Sequence, residues 1–542
     1  MSITREYMNK LIGSIITDII IAVILTVLTI AAFYFEWMPT KYLEYKVYDA
    51  VSNFKEQVSN APIVIVAVDD ESIANMGRWP WPRGYIARMV EFLNKCEAKV
   101  IGVNVIYSEN DMNQGLTEVR DILKNIENNA SALTDARINS IYTWLKETEK
   151  KLDNDAILGA AIGESKKVVL PLVFILGNPM GNKVSEIPDY LKQNSVPVAS
   201  QEGSISAREI VPPIPDFAMK ALALGHINII PDADGTVRSE PLVVYYEGRA
   251  YPSFGLQLSL KYLNYDMRDV SVAGGVNFGN NSIVTSEKGE MLISFSRSFP
   301  YFSFYDVASN KAPPEAFKDK IVIITQSAIG LGALQATPIG PNVPSWGIIA
   351  NVADNILSGN YIVRPAWAFP LEMGVTVLFG LFLALIIPRL KIKISAILSL
   401  IILLIWLGVG MYLLTNYRYW IKLVHPSLLL LIGYTVVVTK GYFFTEEAKE
   451  HIEADGVETN KMLGLSFQGQ GMLDLAFEKF CKCPVEDESV KELLYNLGLD
   501  FERKRMFNEA VAVYEHIAQV GSFKDIEERA KKLKAAGTAG IT

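Results

Sequence analysis

Four long apolar runs constrain this chain more than any other feature. They occupy residues 12–35, 367–387, 394–414 and 423–439. A run of about 20 apolar residues is long enough to cross a bilayer as a helix. The first run is longer than a signal-peptide core, which favours an uncleaved anchor. We therefore expect a four-helix membrane region with one large domain, residues 36–366, between the first run and the other three.

The charges beside these runs predict the orientation of the chain. Arg389, Lys391 and Lys393 crowd the short loop after the second run, and Arg5 and Lys10 precede the first. Basic residues mark cytoplasmic loops. The pattern predicts cytoplasmic termini and an extracytoplasmic large domain.

Two acids lie within the apolar runs. Asp18 is near the cytoplasmic end of the first run, and Glu372 is near the start of the second. Such acids can mark a proton or ion path. At these depths contact with headgroups, a neighbouring helix or the outer interface is the commoner role. A transporter is disfavoured because the helices carry almost no polar residues that could line a path.

The large domain alternates strand-like and helix-like segments, which predicts a mixed α/β domain with a mostly parallel sheet. We expect strands at residues 63–68, 100–107, 168–174, 225–230 and 321–325. We expect helices at residues 84–95, 117–149, 153–162, 215–223 and 345–357. Hairpins are expected over residues 236–253 and 282–295, around the Glu247–Gly248 and Lys288–Gly289 turns.

A candidate ligand site follows the first buried strand, residues 63–68, whose end carries two acids and then the segment GRWPWPR. Ligands of open α/β folds bind at the carboxyl ends of such strands. The predicted ligand-binding residues are Asp69, Asp70, Arg78, Trp79, Trp81, Arg83, Asn104 and Gln326. Two other interpretations stay open: one aspartate caps a helix over residues 71–76, and the tryptophans pack a buried corner.

No catalytic residue, metal site or cofactor is predicted. Asp232 to Gly235 reads DADG, which resembles the start of a calcium loop, but the glycine comes too early and no glutamate completes the loop. A tight turn explains DADG better. Cys96 is the lone cysteine of the large domain, and Cys481 with Cys483 lacks the further ligands of a zinc site. The net charge of −8 disfavours nucleic acid as a partner.

Several motifs in the large domain resemble a known family. DDESI, GRWPWPR and AKVIGVNVIYSEND, together with GHINIIPDADGTVRSEPL and ANVADNILSG, are similar to the CHASE sensory domain of the second type. That extracytoplasmic domain stands at the front of bacterial membrane cyclases and kinases. The resemblance covers residues 42–440 and implies a sensor in the bacterial cytoplasmic membrane.

The chain departs from that family pattern at four positions. Asn104 stands where members usually carry an acid, Ala333 where they carry an aspartate, and Gln335 and Ile349 lie near positions where they carry histidine. Ionisable groups are therefore missing from several predicted strand ends.

Beyond residue 440 an internal repeat indicates a helical tail. Gly464, Phe467, Ala476 and Phe480 recur 34 positions later as Gly498, Phe501, Ala510 and Tyr514. This is the tetratricopeptide period. Two such repeats and a capping helix at residues 524–534 would form all-α cytoplasmic helical repeats, with a groove for partners lined by Asn496, Asp500 and Arg503.

These features divide the chain into seven segments. They are the N-terminus (1–11), an anchor helix (12–35), the sensor domain (36–366), three membrane helices (367–440), a juxtamembrane helix (441–461), the repeats (462–535) and a linker end (536–542).

The function expected from this organisation is that of a receptor subunit. A small-molecule or protein signal would be detected outside and relayed, in a homodimer or higher homo-oligomer, to a cytoplasmic effector, with membrane lipid around the helices. The alternative is a non-catalytic assembly or scaffold protein. An enzyme is not expected, because the chain contains no phosphate loop and no HRD or DFG motif.

Overall fold

The computed structural model describes residues 2–53, 59–128, 135–177, 186–198 and 204–539. The helices are α1 (Ser2–Tyr34), α2 (Met38–Ser52), α3 (Asp70–Met76), α4 (Gly84–Lys95), α5 (Gln114–Asn128), α6 (Ala136–Leu152), α7 (Asn154–Ser165), α8 (Asp189–Gln193), α9 (Pro215–Lys220), α10 (Phe254–Tyr262), α11 (Phe304–Ala308), α12 (Ser345–Ser358), α13 (Ala368–Leu385), α14 (Ile392–Tyr417), α15 (Val424–Gly469), α16 (Leu473–Phe480), α17 (Glu488–Arg503), α18 (Phe507–Ala518) and α19 (Ile526–Ala539). The strands are β1 (Ile63–Val68), β2 (Val100–Val103), β3 (Val168–Leu176), β4 (Val196–Pro197), β5 (Ala207–Val211), β6 (Ala223–His226), β7 (Ser239–Pro241), β8 (Val243–Tyr246), β9 (Arg249–Pro252), β10 (Val270–Val272), β11 (Val276–Phe278), β12 (Asn281–Ile283), β13 (Glu290–Leu292), β14 (Tyr301–Ser303), β15 (Ile321–Gln326), β16 (Leu334–Thr337) and β17 (Gly340–Pro344).

The chain forms two compact units. The sheet unit comprises Thr26–Phe379 and Ile397–Leu430, and the tail unit comprises Met1–Leu25, Gly380–Ala396 and Leu431–Thr542.

A mostly parallel sheet organises the sheet unit. Its strand order is β14-β1-β15-β2-β3-β6, all parallel, and β5 adds to β3 in the antiparallel sense. Every residue of β1 is buried, as expected for a strand covered on both faces. The predicted mixed α/β domain is confirmed.

Helices cover both faces of this sheet. On one face α4 and α7 pack through Leu93 and Leu158, and α9 adds Phe217. On the other, α10 and α12 contribute Phe254 and Ala353 to a second apolar cluster. Burial of these side chains is the main force that holds the helices to the sheet.

The structure corrects four expected segments. The hairpin predicted over residues 282–295 is wrong: the turn at Gly289 forms, but β13 pairs with β7 and β12 pairs with β11. The strand expected at residues 100–107 ends at Val103, and the strand expected at residues 225–230 is β6, which ends at His226. The helix expected at 117–149 is two helices, α5 and α6, and residues 129–134 between them lie outside the described residues.

Four helices in the described part of the chain are long and apolar enough to cross a membrane, in agreement with the four predicted runs. They are Ile15–Tyr34, Ala368–Arg389, Ile392–Tyr417 and Val424–Tyr442. Within the tail unit Lys440 Nζ lies 2.9 Å from Asp18 Oδ1, so the first and last spans are joined by an ion pair. Asp18 therefore contacts a neighbouring helix, the commoner of its two expected roles.

The remainder of the tail unit is helical. Gly464 packs against the Phe480 ring and Gly498 against the Tyr514 ring, and a Cβ atom at either glycine would collide with the ring. The two contacts lie 34 positions apart. The apolar faces of α16 to α19 share one core, which includes Leu494 and Ile517.

Candidate functional site

A cleft of about 1300 Å³ opens at the carboxyl ends of the central strands. Asn104 follows β2, Thr325 and Gln326 end β15, and Asn228 lies just after β6. Parallel strands bring their carboxyl ends to one edge of a sheet, which is where open α/β folds bind ligands. The cleft is therefore the first candidate for a functional site.

Five of the eight residues predicted to bind a ligand line this cleft. They are Trp79, Trp81, Arg83, Asn104 and Gln326. Asp69, Asp70 and Arg78 do not line it. Ligand binding by these eight residues stays a prediction.

The two aspartates stabilise the local backbone. Asp69 is the N-cap of α3 and accepts hydrogen bonds from Ser72 N, at 2.9 Å, and from the Ser303 hydroxyl. Partial burial alone would raise the pKa of Asp69, but these hydrogen bonds hold it below its ordinary value. Asp70 accepts a hydrogen bond from Ile329 N. One aspartate caps a helix, as the alternative interpretation expected.

The two tryptophans differ in burial. Trp81 is 7% exposed, and its indole N–H donates to Gly77 O at 2.7 Å. Its ring packs on Trp79, Tyr85 and Phe304. Trp79 is only half-buried. Trp81 thus forms a packed corner, and Trp79 keeps part of its ring accessible at the cleft.

The Arg83 side chain already has interaction partners within the protein. Its guanidinium donates to Asp155 and to Glu109 O, and it lies 4.9 Å from the centre of the Tyr107 ring. These contacts fix the segment after β2 against α7. Arg83 builds the wall of the cleft, and its charge is balanced within that wall.

The inner surface of the cleft carries neutral polar groups. Asn104 donates to Thr325 Oγ1 at 3.2 Å, whereas the amides of Gln326 and Gln335 make no hydrogen bond to another described residue. The only charged residues that line the described cleft are Arg83, Glu109 and Asp111. Among the described residues no group of His, Cys, Asp and Glu could hold a metal ion.

Comparison with protein-family models identifies the family of this domain. The CHASE2 domain family matches residues 21–387, which is more than half of the chain. The chain belongs to the CHASE2 domain family. Comparison with curated proteins and with solved structures gave no significant match. CHASE2 is a family of extracytoplasmic sensory domains, so the match supports a sensor role for the sheet unit.

A second polar site in the CHASE2 domain escaped the sequence analysis. Arg238 is 2% exposed and donates to three carboxylates, those of Asp49, Asp232 and Asp234. Its guanidinium also lies 4.3 Å from the centre of the Tyr45 ring. Because Tyr45 and Asp49 belong to α2, this cluster attaches the helix after the first span to the sensory domain. We call it the Arg238 clamp.

The acids of the Arg238 clamp have different environments. The hydrogen bonds from Arg238 lower the pKa of Asp234 to about 2, whereas burial raises the pKa of Asp232 despite the same partner. The tight turn predicted for this segment is present, with Gly235 at φ +79°. Both aspartates hold Arg238, and the turn is not a calcium loop.

The same helix, α2, contacts the start of the last span. The Glu44 carboxylate accepts hydrogen bonds from Leu423 N at 2.7 Å and Val424 N at 2.9 Å, where α15 begins. Burial raises the pKa of Glu44 to about 7. Glu372 binds Arg364 and also accepts from Lys422 N at 2.6 Å. The two carboxylates satisfy backbone donors that a helix start leaves free.

Proposed function

We propose that the chain is a receptor subunit of the bacterial cytoplasmic membrane. Its CHASE2 domain would bind a signal in the cleft and relay it through α2 and the membrane helices to a cytoplasmic partner. The observation that carries this proposal is the double attachment of α2. The Arg238 clamp fixes one part of that helix to the sensory domain, and Glu44 contacts the start of α15.

The relay would be a shift between two arrangements of α2. A ligand that favours a closed cleft shifts the population by as much as its affinity for the two arrangements differs. Movement of the segment around Asp232 and Asp234 would be passed to α2 through Arg238. Glu44 would then move against Leu423 and Val424. Hinge and shear movements around a bound ligand are known types of switching transition.

The tail would serve as the output surface. The repeated glycine–ring contact supports assignment of the tail to tetratricopeptide-like repeats, which present grooves to partners. Asn496 and Arg503 are exposed on α17, while Asp500 also accepts a hydrogen bond from Gln468. We propose that this helix face docks an effector and that the receptor is a homodimer.

A scaffold function is the second candidate, and one observation favours it. Met462, Leu465 and Met472 are large apolar residues of the tail unit with exposures of 64%, 49% and 48%. Exposed apolar residues of this kind mark surfaces that bind other proteins. A scaffold would hold its partners with or without a signal, whereas a receptor would change its partner affinity when the cleft is filled.

Protease treatment of intact spheroplasts tests the proposed topology. Residues 36–366 should be cut while the tail stays protected, because the basic residues of the loop at 389–393 predict that this loop faces the cytoplasm. Lysed spheroplasts provide the control, in which the tail is also cut. Protection of the large domain in intact spheroplasts would refute the topology.

A binding screen on the full chain in nanodiscs tests the sensing role. Small molecules of several charge classes would be added while thermal unfolding is followed. We expect at least one compound to raise the melting temperature, and Trp79→Ala to abolish that rise while Arg78→Ala, outside the cleft, leaves it intact. Retention of every such rise in Trp79→Ala would place the ligand elsewhere and reject the cleft as the sensory site.

A further inference from the structure

We propose that the cleft binds an uncharged polyhydroxyl ligand of the saccharide class. This inference rests on the proposed function, in which the cleft is the ligand site. It identifies the ligand by the chemistry of the surfaces that would touch it.

The hydrogen-bonding groups of the cleft match hydroxyls. Asn104, Gln326 and Gln335 each carry an amide, which offers donors and an acceptor side by side. A sugar hydroxyl also donates and accepts, so each amide can pair with a hydroxyl in both senses. The Gln326 and Gln335 amides make no hydrogen bond to another described residue, and a ligand would not have to break one.

The charges of the cleft disfavour an ionic ligand. Arg83 is paired with Asp155, and Asp111 accepts a hydrogen bond from Asn154 at 3.0 Å. Glu109 is exposed at the rim. No described cation in the lining is therefore free to pair with an anionic ligand. The carboxylates among the described lining residues, Glu109 and Asp111, belong to the segment after β2 and not to β15 and β16, which carry Gln326 and Gln335. Removing a ligand charge from water without a partner is costly.

Aromatic rings complete the match. Trp79 and Trp346 both line the cleft and are half-buried, so parts of their rings can pack on the apolar face of a sugar. The Trp346 Nε1 and Tyr107 hydroxyl are buried and have no hydrogen-bond partner among the described residues. A hydroxyl that reached either group would add a hydrogen bond without displacing another.

The size and polarity of the cleft exclude two other ligand classes. A purely apolar ligand would leave the side-chain amides of Gln326 and Gln335 buried and unpaired, at a cost for each group. A single metal ion finds no cluster of ligating side chains in the described part of the chain. At about 1300 Å³ the cleft has room for more than one sugar ring.

Two matched pairs of disaccharides test the inference on the full chain in nanodiscs. Each pair keeps both sugar rings and their linkage and differs in charge: N,N′-diacetylchitobiose against cationic chitobiose, and cellobiose against anionic cellobiouronic acid, in which a carboxylate replaces one hydroxymethyl group. Binding is followed by tryptophan fluorescence and by calorimetry. We expect a neutral disaccharide to bind at least roughly tenfold more tightly than its charged counterpart, because the counterpart has no partner for its charge.

Glutamine-to-alanine variants test whether the neutral disaccharide binds in the cleft. Gln326→Ala and Gln335→Ala should each weaken the neutral disaccharide up to roughly tenfold, since each removes one amide from the contact. Gln193→Ala, an exposed amide of α8 outside the cleft, is the matched control and should bind as the wild type does. Equal binding by all three variants would overturn the assignment of the cleft.

Other outcomes separate the ligand class from the sensing role. Failure of both neutral disaccharides to bind, or equal or tighter binding of their charged counterparts, would overturn the saccharide class. If a charged compound instead binds and loses its affinity in Trp79→Ala, the cleft remains the sensory site and only the class is wrong. If no compound of any charge class binds in the cleft, the proposed function fails as well.

Discussion

Two ionisable residues are buried in the sheet unit without an opposite charge beside them. Glu240 is 4% exposed, and burial raises its pKa to about 8. His226 is fully buried, and burial lowers its pKa to about 3. At neutral pH both side chains are therefore mainly uncharged, which avoids the cost of an unpaired buried charge.

Replacement of Glu240 by glutamine should remove a pH dependence of stability. Between pH 6.5 and 8 the folded state keeps the Glu240 proton while the unfolded state, with an ordinary pKa of 4.5, has lost it. Stability of the wild type should fall as pH rises through this window, by at most about 1.4 kcal/mol per pH unit. Glu240→Gln lacks this loss. The melting temperature of the variant relative to that of the wild type should therefore rise from pH 6.5 to 8. A difference in melting temperature that stays constant or shrinks over this pH range would contradict the assigned protonation of Glu240.

The two tryptophans of the GRWPWPR segment, Trp79 and Trp81, should respond differently to truncation. Trp81→Ala should lower the free energy of unfolding by about 3–5 kcal/mol, because it removes a buried ring and leaves Gly77 O without its donor. Trp79→Ala should cost less than about 1.5 kcal/mol, since its ring is half-buried. Denaturant unfolding of both variants provides the measurement. Equal losses would mean that Trp79 is a core residue and not part of a recognition surface.

At the scale of elements, long buried runs were predictable and distant pairings were not. β1 has the predicted bounds and β15 differs from prediction by one residue, because a continuous apolar run between turn residues leaves few alternatives. The hairpin over residues 282–295 was wrong because a turn motif fixes a change of direction but not the strand that receives it. The contact between Arg238 and Asp49 was not predicted, because the two residues are 189 positions apart in the chain.

Helix α2 should lose its attachment when Arg238 is removed. Arg238→Ala would leave three carboxylates together without their cation, which should destabilise this part of the domain by about 3–5 kcal/mol. Hydrogen exchange across Met38–Ser52 should accelerate. Arg268→Ala is the matched control, because Arg268 is exposed. Unchanged exchange in α2 of the Arg238 variant would show that other contacts hold the helix.

At the scale of the whole molecule, the family and the four membrane spans could be predicted from the sequence. CHASE2 motifs and apolar runs are local patterns, so they can be recognised in the sequence without knowledge of the fold. The composition of the cleft was only partly predictable, since Trp346, Gln335 and Tyr107 come from segments far apart in sequence. The cytoplasmic repeats and their partners stay predictions.

Truncation after Thr445 should separate the proposed roles of the two units. The sheet unit ends before this point, so the large domain should remain folded and inserted in the membrane. Loss of the tail should weaken self-association or remove a captured partner, because helical repeats present the docking surface. Light scattering in detergent and affinity capture compare the two forms. Equal mass and identical partners would reject the docking role.

The central claim, that α2 links the cleft to the membrane helices, is tested most directly by hydrogen exchange on the full chain in nanodiscs. N,N′-diacetylchitobiose is the first probe, followed by any compound that the binding screen identifies. The account predicts slower exchange at residues 104–115 and 325–335, together with altered exchange across Met38–Ser52. In Asp49→Asn, which weakens the Arg238 clamp, the change in α2 should disappear while protection of the cleft remains. Protection confined to the cleft of the wild type, with α2 unchanged, would contradict the account.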